Sequence, residues 1–209
     1  MRIAILTFEG FNELDSFIAS GILNRMASHG WEVAITGPGL SVTSMNGVRI
    51  QPQRQLKFAN EADVVLVGSG IHTRDIVQDV AIMGEFDLDP SRQLIASQCS
   101  GALLLAKLGL LDQMPACTDL TTKPWVLDAG VEVLNQPFHA RGNLATAGGC
   151  LSSVYLAAWV IARKAGLGAC ADALRYVAPV GEKDTYVEHA LRVLAPYLEP
   201  EAASHVLAK

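Results

Sequence analysis

The chain has 209 residues, 50% of them hydrophobic and 18% charged, a balance that supports a sizeable core and excludes a disordered segment. A formal charge of −5, without any dense run of Lys or Arg, leaves out the electrostatic footprint of a nucleic-acid binder. The apolar stretches at 103–111 and 154–162 read as too short or interrupted to span a bilayer, and the apolar start at 3–6 as too brief for a signal-peptide core.

Residues 2–7 form a short apolar run closed by Glu9-Gly10, read as a buried strand and turn. Over 13–29, Leu14, Phe17, Ile18, Gly21, Ile22 and Met26 recur at helical spacing, and Gly30 stands where a helix stops. Residues 31–36 resume as a strand. The stretch 37–57 carries Pro, Gly, Ser and Asn and reads as loops with minor strands, 48–51 foremost. An apolar strand over 62–67 ends in Gly68-Ser69-Gly70, and a helical pattern follows over 73–84. A strand at 94–97 and an apolar helix at 101–108 leave only Gln98, Cys99 and Ser100 for the turn between them. Strands are expected at 131–134 and 144–146, after which Gly148-Gly149 opens a long apolar helix through Lys164. Further helices are expected over 166–176 and 183–195, the last with Pro196 as its stop.

Strands alternating with helices predict an α/β fold, a mostly parallel sheet buried on both faces. No linker or repeat divides residues 1–209, so a single cytoplasmic domain is expected, with a small-molecule substrate and neither nucleic acid nor membrane as partner. Cys99, Cys117, Cys150 and Cys170 show no CxxC spacing, so no metal site, cofactor or disulfide framework is expected.

In open α/β sheets ligands gather at the carboxyl ends of strands, and Cys99 sits directly after one strand and directly before a helix. A helix N-terminus there would favour the thiolate and so activate a nucleophile, and Gly101 leaves room for a sharp bend. The alternative is a small buried hydrophobe, the usual fate of a free cysteine. Cys117, Cys150 and Cys170 lie in apolar surroundings and read as packing.

The segment from Ser97-Gln98-Cys99-Ser100-Gly101-Ala102 to Gly109-Leu110-Leu111-Asp112, together with Gly142-Asn143-Leu144-Ala145-Thr146-Ala147-Gly148-Gly149, resembles the DJ-1/PfpI superfamily over most of the chain. That resemblance implies a flavodoxin-like three-layer sandwich with Cys99 on the nucleophile elbow. Gly10-Phe11-Asn12-Glu13-Leu14-Asp15 resembles the isonitrile-hydratase-like branch and makes Asp15 the acid beside the thiol, with Glu9 and Glu13 as substitutes one alignment slip away. Without the resemblance, Asp15 reads as an ordinary acid in a first helical turn. The loop Gly68-Ser69-Gly70 corresponds to the family's glycine pair, with Gly68 where many relatives have proline; the amides of Gly70, Cys99 and Ser100 become candidates to hold negative charge on an adduct, and Ser69, Ile71 and His72 candidates to bind substrate. His72 falls on the active side by topology, whereas His139, His189 and His205 have no visible constellation.

Ser100 stands where the protease-like branch has histidine, which disfavours proteolysis because a hydroxyl is no imidazole base. Thr118-Asp119-Leu120 replaces the Thr-His-Trp of many relatives, and Ile18-Ala19 their Gly-Pro. The resemblance implies a cofactor-free cysteine enzyme acting on a small electrophile, most concretely isonitrile hydration to an N-substituted formamide. Glyoxalase-type conversion of 2-oxoaldehydes and a non-catalytic redox- or ligand-sensing role are the alternatives, and a homodimer is expected.

Overall fold

The computed structural model describes residues 1–199. The strands are β1 (Arg2–Leu6), β2 (Glu32–Gly37), β3 (Val42–Thr43), β4 (Arg49–Ile50), β5 (Arg54–Gln55), β6 (Val64–Val67), β7 (Leu94–Gln98), β8 (Phe138–Arg141) and β9 (Leu144–Ala147). Between and after them lie the helices α1 (Glu13–Leu23), α2 (Phe58–Glu61), α3 (Thr73–Ile76), α4 (Val80–Met83), α5 (Gly101–Lys107), α6 (Lys123–Asp128), α7 (Ser153–Val177) and α8 (Lys183–Leu194).

Seven strands form one sheet in the order β5-β2-β1-β6-β7-β9-β8, parallel except for the antiparallel edge pair β8–β9. Strands β3 and β4 form a separate hairpin. Successive side chains of a strand point to opposite faces, and the core divides accordingly. Ile3, Ile5, Val64 and Leu66 pack with Ile22 and Leu23 of α1, Trp159 of α7 and Leu194 of α8. Ala4, Leu6, Val65 and Val67 pack on the other side with Leu104 of α5 and Val126 of α6. This is the mostly parallel, helix-covered sheet of a flavodoxin-like α/β fold.

The period-3.6 reading of 13–29 is met by α1 and a 3₁₀ turn over Asn24–His29, closed by Gly30 at φ 75°. The expected break between two late helices falls at Gly166, whose φ of 87° interrupts α7. The stretch Cys150–Val177 is long and apolar enough by composition to cross a membrane, contrary to the reading of 154–162 as too short. In its middle, Trp159, Val160 and Ile161 are fully buried in the core.

Three elements differ from expectation. The helix over 73–84 is two helices, because the Asp79 carboxylate accepts the Ala81 and Ile82 amides at 2.9 and 3.1 Å and starts a new one. The strand at 131–134 is reduced to an isolated bridge between Ala116 and Val133, and the edge strand β8 lies just after it. Helix α6, with Pro in its first turn, was not expected at all.

The loops after β1, β6, β7 and β9 all emerge at the carboxyl edge of the sheet, because these four strands are parallel neighbours. At that edge α5 crosses close over β6: a Cβ on Gly101 would lie 2.6 Å from the Val67 carbonyl oxygen and 2.8 Å from that of Gly68. Both obstacles are backbone. Gly101→Ala is therefore expected to destabilise the fold by about 1–3 kcal/mol in urea denaturation, with the slope of the transition unchanged.

Candidate functional site

Cys99 is the one non-glycine residue with positive φ among the described residues, at 46°. A left-handed turn is costly for a residue with a Cβ, so it persists only where surroundings impose it. Here the Cys99 N–H donates to the Ala147 carbonyl at 2.8 Å, and Thr118 Oγ1 donates to the Cys99 carbonyl at 2.7 Å. The elbow is thus held from β9 and from the loop before α6. The sulfur receives the Gln98 Nε2 donor at 3.4 Å and also the Gly149 N–H, while Gln98 Nε2 itself bonds the Gly149 carbonyl at 2.7 Å.

Asp15 lies in the first turn of α1, behind the N-cap Asn12, and is only 2% exposed. Ser69 Oγ donates to its Oδ2, whereas its Oδ1 is buried without a partner among the described residues. The Asp15 carboxylate, Cys99 Sγ and Cys150 Sγ all lie within 4.8 Å of one another. Asn12 Nδ2 donates to Cys150 Sγ at 3.2 Å. The Gln98 Oε1, in the same cluster, is a second buried acceptor without a partner. Natural proteins leave few such atoms.

Burial drives the electrostatics. It pushes the Asp15 carboxyl above its ordinary range; the Ser69, Cys150 and Cys99 groups moderate the rise and the Asp119 charge adds to it. Burial, then the neighbouring Asp15 charge, pushes the Cys99 thiol strongly up, outweighing the Gln98 and Gly149 donors. Both influences oppose the thiolate expected from a helix N-terminus, and α5, with only seven residues, offers a short helix end against them.

The other expected residues divide. Ser69 joins the site through Asp15. Ser100 does not present its hydroxyl to an adduct: it is 1% exposed, accepts the Gly70 N–H at 3.1 Å and pairs with Thr73 Oγ1 at 2.7 Å. The Gly70 and Cys99 amides are likewise engaged, by Ser100 and Ala147, which removes both as oxyanion donors; the Ser100 amide has no partner among the described residues. Gly70 is glycine for space, since a Cβ there would sit 2.6 Å from the Gly10 carbonyl oxygen. Ile71 and His72 cover Gly10 at the surface, with His72 Nδ1 3.6 Å from Asp75.

Glu9 and Glu13 are not substitutes for Asp15. They fasten the β3–β4 hairpin, Glu9 accepting the Thr43 amide at 2.9 Å and Glu13 accepting from Ser44 Oγ and Asn46 Nδ2. The Ser44 hydroxyl holds the Glu13 carboxyl below its usual value. Cys150, read as packing, is half-buried and sits in the site; Cys117 and Cys170 are buried packing thiols. The missed signal was positional: Cys150 follows Gly148-Gly149 at the end of β9, next to β7, so both loops open at one edge. His205 lies outside the described residues.

A family model described as the DJ-1/PfpI family matches residues 1–163, from β1 into α7. The chain belongs to the DJ-1/PfpI family. Among solved structures it is similar to Drosophila melanogaster DJ-1beta, with a TM-score of 0.74 at 21% identity, covering 84% of this chain and 96% of that one. A ThiJ/PfpI family protein from Pseudomonas syringae gives 0.72 at 19% identity over 99% of this chain and 89% of that one. An AraC family transcriptional regulator from Pseudomonas putida gives 0.68 at 15% identity over 85% of this chain and 99% of that one. No curated protein matches the sequence significantly.

Two outcomes check this DJ-1/PfpI site. Glycine tolerates the left-handed turn and alanine does not, so Cys99→Gly is expected to be about 1 kcal/mol more stable than Cys99→Ala in urea denaturation. Because the folded-state pKa of Asp15 is raised above 3.8, the folded chain keeps a proton that the unfolded chain has released. The associated stability is fully present below the unfolded value and is lost as pH rises through the folded one. Asp15→Asn is therefore expected to melt higher than wild type at pH 8, with the gap shrinking toward pH 3.

Proposed function

We propose that this DJ-1/PfpI protein is a cofactor-free hydratase that converts isonitriles to N-substituted formamides, with Cys99 as nucleophile and Asp15 as proton carrier. The observation that carries the reading is the Asp15 carboxylate, with Oδ1 unpartnered among the described residues and one oxygen within 4.8 Å of the Cys99 sulfur, both side chains shielded from water. A neutral thiol next to a carboxylate suits an electrophile that must be protonated as it is attacked. The Cys99 sulfur forms a bond to the isonitrile carbon while the thiol proton passes through Asp15 to that same carbon, giving a thioimidate. Water then adds to this carbon, Asp15 relaying one of its protons to the nitrogen; the tetrahedral adduct collapses to the carbonyl as the carbon–sulfur bond breaks, and the remaining hydroxyl proton returns to the sulfur, giving the thiol and the formamide. Gln98 and the Gly149 amide orient the sulfur throughout.

A cleft of about 440 Å³ lined by Asp119, Lys123, Pro137 and Gly149 opens beside the turn that carries Cys150, although Asp15, Cys99 and Cys150 do not themselves line it. Its size suits a small substrate. The Leu14-Asp15 pair supports the isonitrile-hydratase-like branch, and the lack of an imidazole at Ser100 and Asp119 weighs against a peptidase.

The test is a panel of alkyl and aryl isonitriles and 2-oxoaldehydes, with formamide and hydroxyacid formation followed by chromatography. Wild type is expected to produce formamide, Cys99→Ala none, and Asp15→Asn to lose about 10²–10⁴-fold in kcat. Turnover of 2-oxoaldehydes alone would move the same thiol to glyoxalase-type chemistry, through a hemithioacetal. Full isonitrile turnover by Cys99→Ala would overturn the reading.

A further inference from the structure

Cys150 has no part in the hydration scheme, yet its sulfur completes the cluster with Cys99 and Asp15. We propose that Cys150 and Cys99 form a reversible disulfide when the protein meets hydroperoxides, Cys150 being the thiol that meets the oxidant and Asp15 carrying the proton between the two.

Four observations carry this. First, Cys150 is half-buried, whereas Cys99, Cys117 and Cys170 are buried, so a peroxide in solvent reaches it first. Second, Asn12 Nδ2 donates to its sulfur at 3.2 Å, which favours the negative charge it bears during attack and partly offsets burial and the Asp15 charge, which together push this thiol up. Third, the two sulfurs lie within 4.8 Å of each other, and a bond of about 2.05 Å requires them to close by rotation and local backbone adjustment. That adjustment is available where Cys150 sits, in a single 3₁₀ turn of three residues preceded by Gly149 at φ 85°. Fourth, the Asp15 carboxylate, 2% exposed and with its Oδ1 unpartnered among the described residues, has an oxygen within 4.8 Å of both sulfurs and can receive a thiol proton.

The chemistry balances in two steps. The Cys150 sulfur attacks the peroxide: a sulfur–oxygen bond forms, the oxygen–oxygen bond breaks, and the departing oxygen takes the thiol proton, leaving a sulfenic acid and water or alcohol. The Cys99 sulfur then attacks the Cys150 sulfur. A sulfur–sulfur bond forms, the sulfur–oxygen bond breaks, and hydroxide leaves as water with the Cys99 proton delivered by Asp15. The two thiols are oxidised by two electrons and the hydroperoxide is reduced by two. An external dithiol reverses the bond, so Cys99 is protected from irreversible oxidation.

The four cysteines fall in separate tryptic peptides, with Cys99 in 93–107 and Cys150 in 142–163. The full-length protein is treated with stoichiometric hydrogen peroxide, alkylated, digested without reduction and mapped by mass spectrometry. Wild type is expected to show the 93–107/142–163 cross-link, two hydrogens lighter than the summed peptides and lost with dithiothreitol, on a monomeric chain in non-reducing gels. In Cys99→Ser, Cys150 is expected to be trapped by dimedone as sulfenic acid. In Cys150→Ser and Cys150→Ala, Cys99 is expected to oxidise about tenfold more slowly than it is consumed in wild type, as access governs susceptibility. Absence of the cross-link in wild type, a cross-link only between chains, or equal Cys99 oxidation with and without Cys150 would overturn the proposal. The wild-type map needs no variant to fold. Its readout is covalent mass rather than turnover, so its failure and that of the hydratase reading are distinguishable.

Discussion

The left-handed turn at Cys99 organises the carboxyl edge of the sheet. A cysteine at φ 46° is held only because Ala147 takes its amide, Thr118 grips its carbonyl, and Gly101 lets α5 descend onto β6 without a Cβ in the way. Each restraint comes from a different part of the chain. Without them the residue would relax, and the sulfur would leave the place where Gln98, Gly149, Asp15 and Cys150 converge. Strain at one residue is thus offset by packing and hydrogen bonds over four elements, the usual economy of a functional turn.

The second organising feature is dryness. Asp15 and Cys99 are both nearly sealed from water, and no cation among the described residues contributes to the shift of either. Burial disfavours the charged form of both groups, and proton transfer between them is what the proposed hydration draws on. The Gly70 loop contributes by structure: its amide and the Ser100 and Thr73 hydroxyls form a closed tie between the elbow and the loop after β6. The same loop carries Ser69 to Asp15, so elbow and acid are held in register by one stretch of backbone.

Cys150 gives the site a second sulfur at the edge that solvent reaches, and Asp119 adds negative charge where many relatives have histidine. These two residues separate this chain from a simple elbow-and-acid arrangement. Both lie on loops outside β7 and α1, close to the cleft that reaches Gly149.

The alternation of apolar strands and helices, the tight Gln98-Cys99-Ser100 turn and the Gly30 and Gly166 breaks were legible in the sequence because they follow from local periodicity and from the backbone freedom of glycine. Asp15 and Ser69 were legible only through family likeness, since nothing local tells an acid at a helix start from one beside a thiol. The split of the 73–84 helix was a side-chain cap winning over periodicity, and β8 escaped because an edge strand needs only its partner's hydrogen bonds. What tertiary structure alone decided is the role of each polar group: Ser100 and Gly70 turned to each other, Glu9 and Glu13 to the hairpin, and Cys150 toward Cys99. Those assignments, and the direction in which burial pushes the thiol, depend on distances between residues far apart in the chain and on how much water they exclude, neither of which a linear pattern contains.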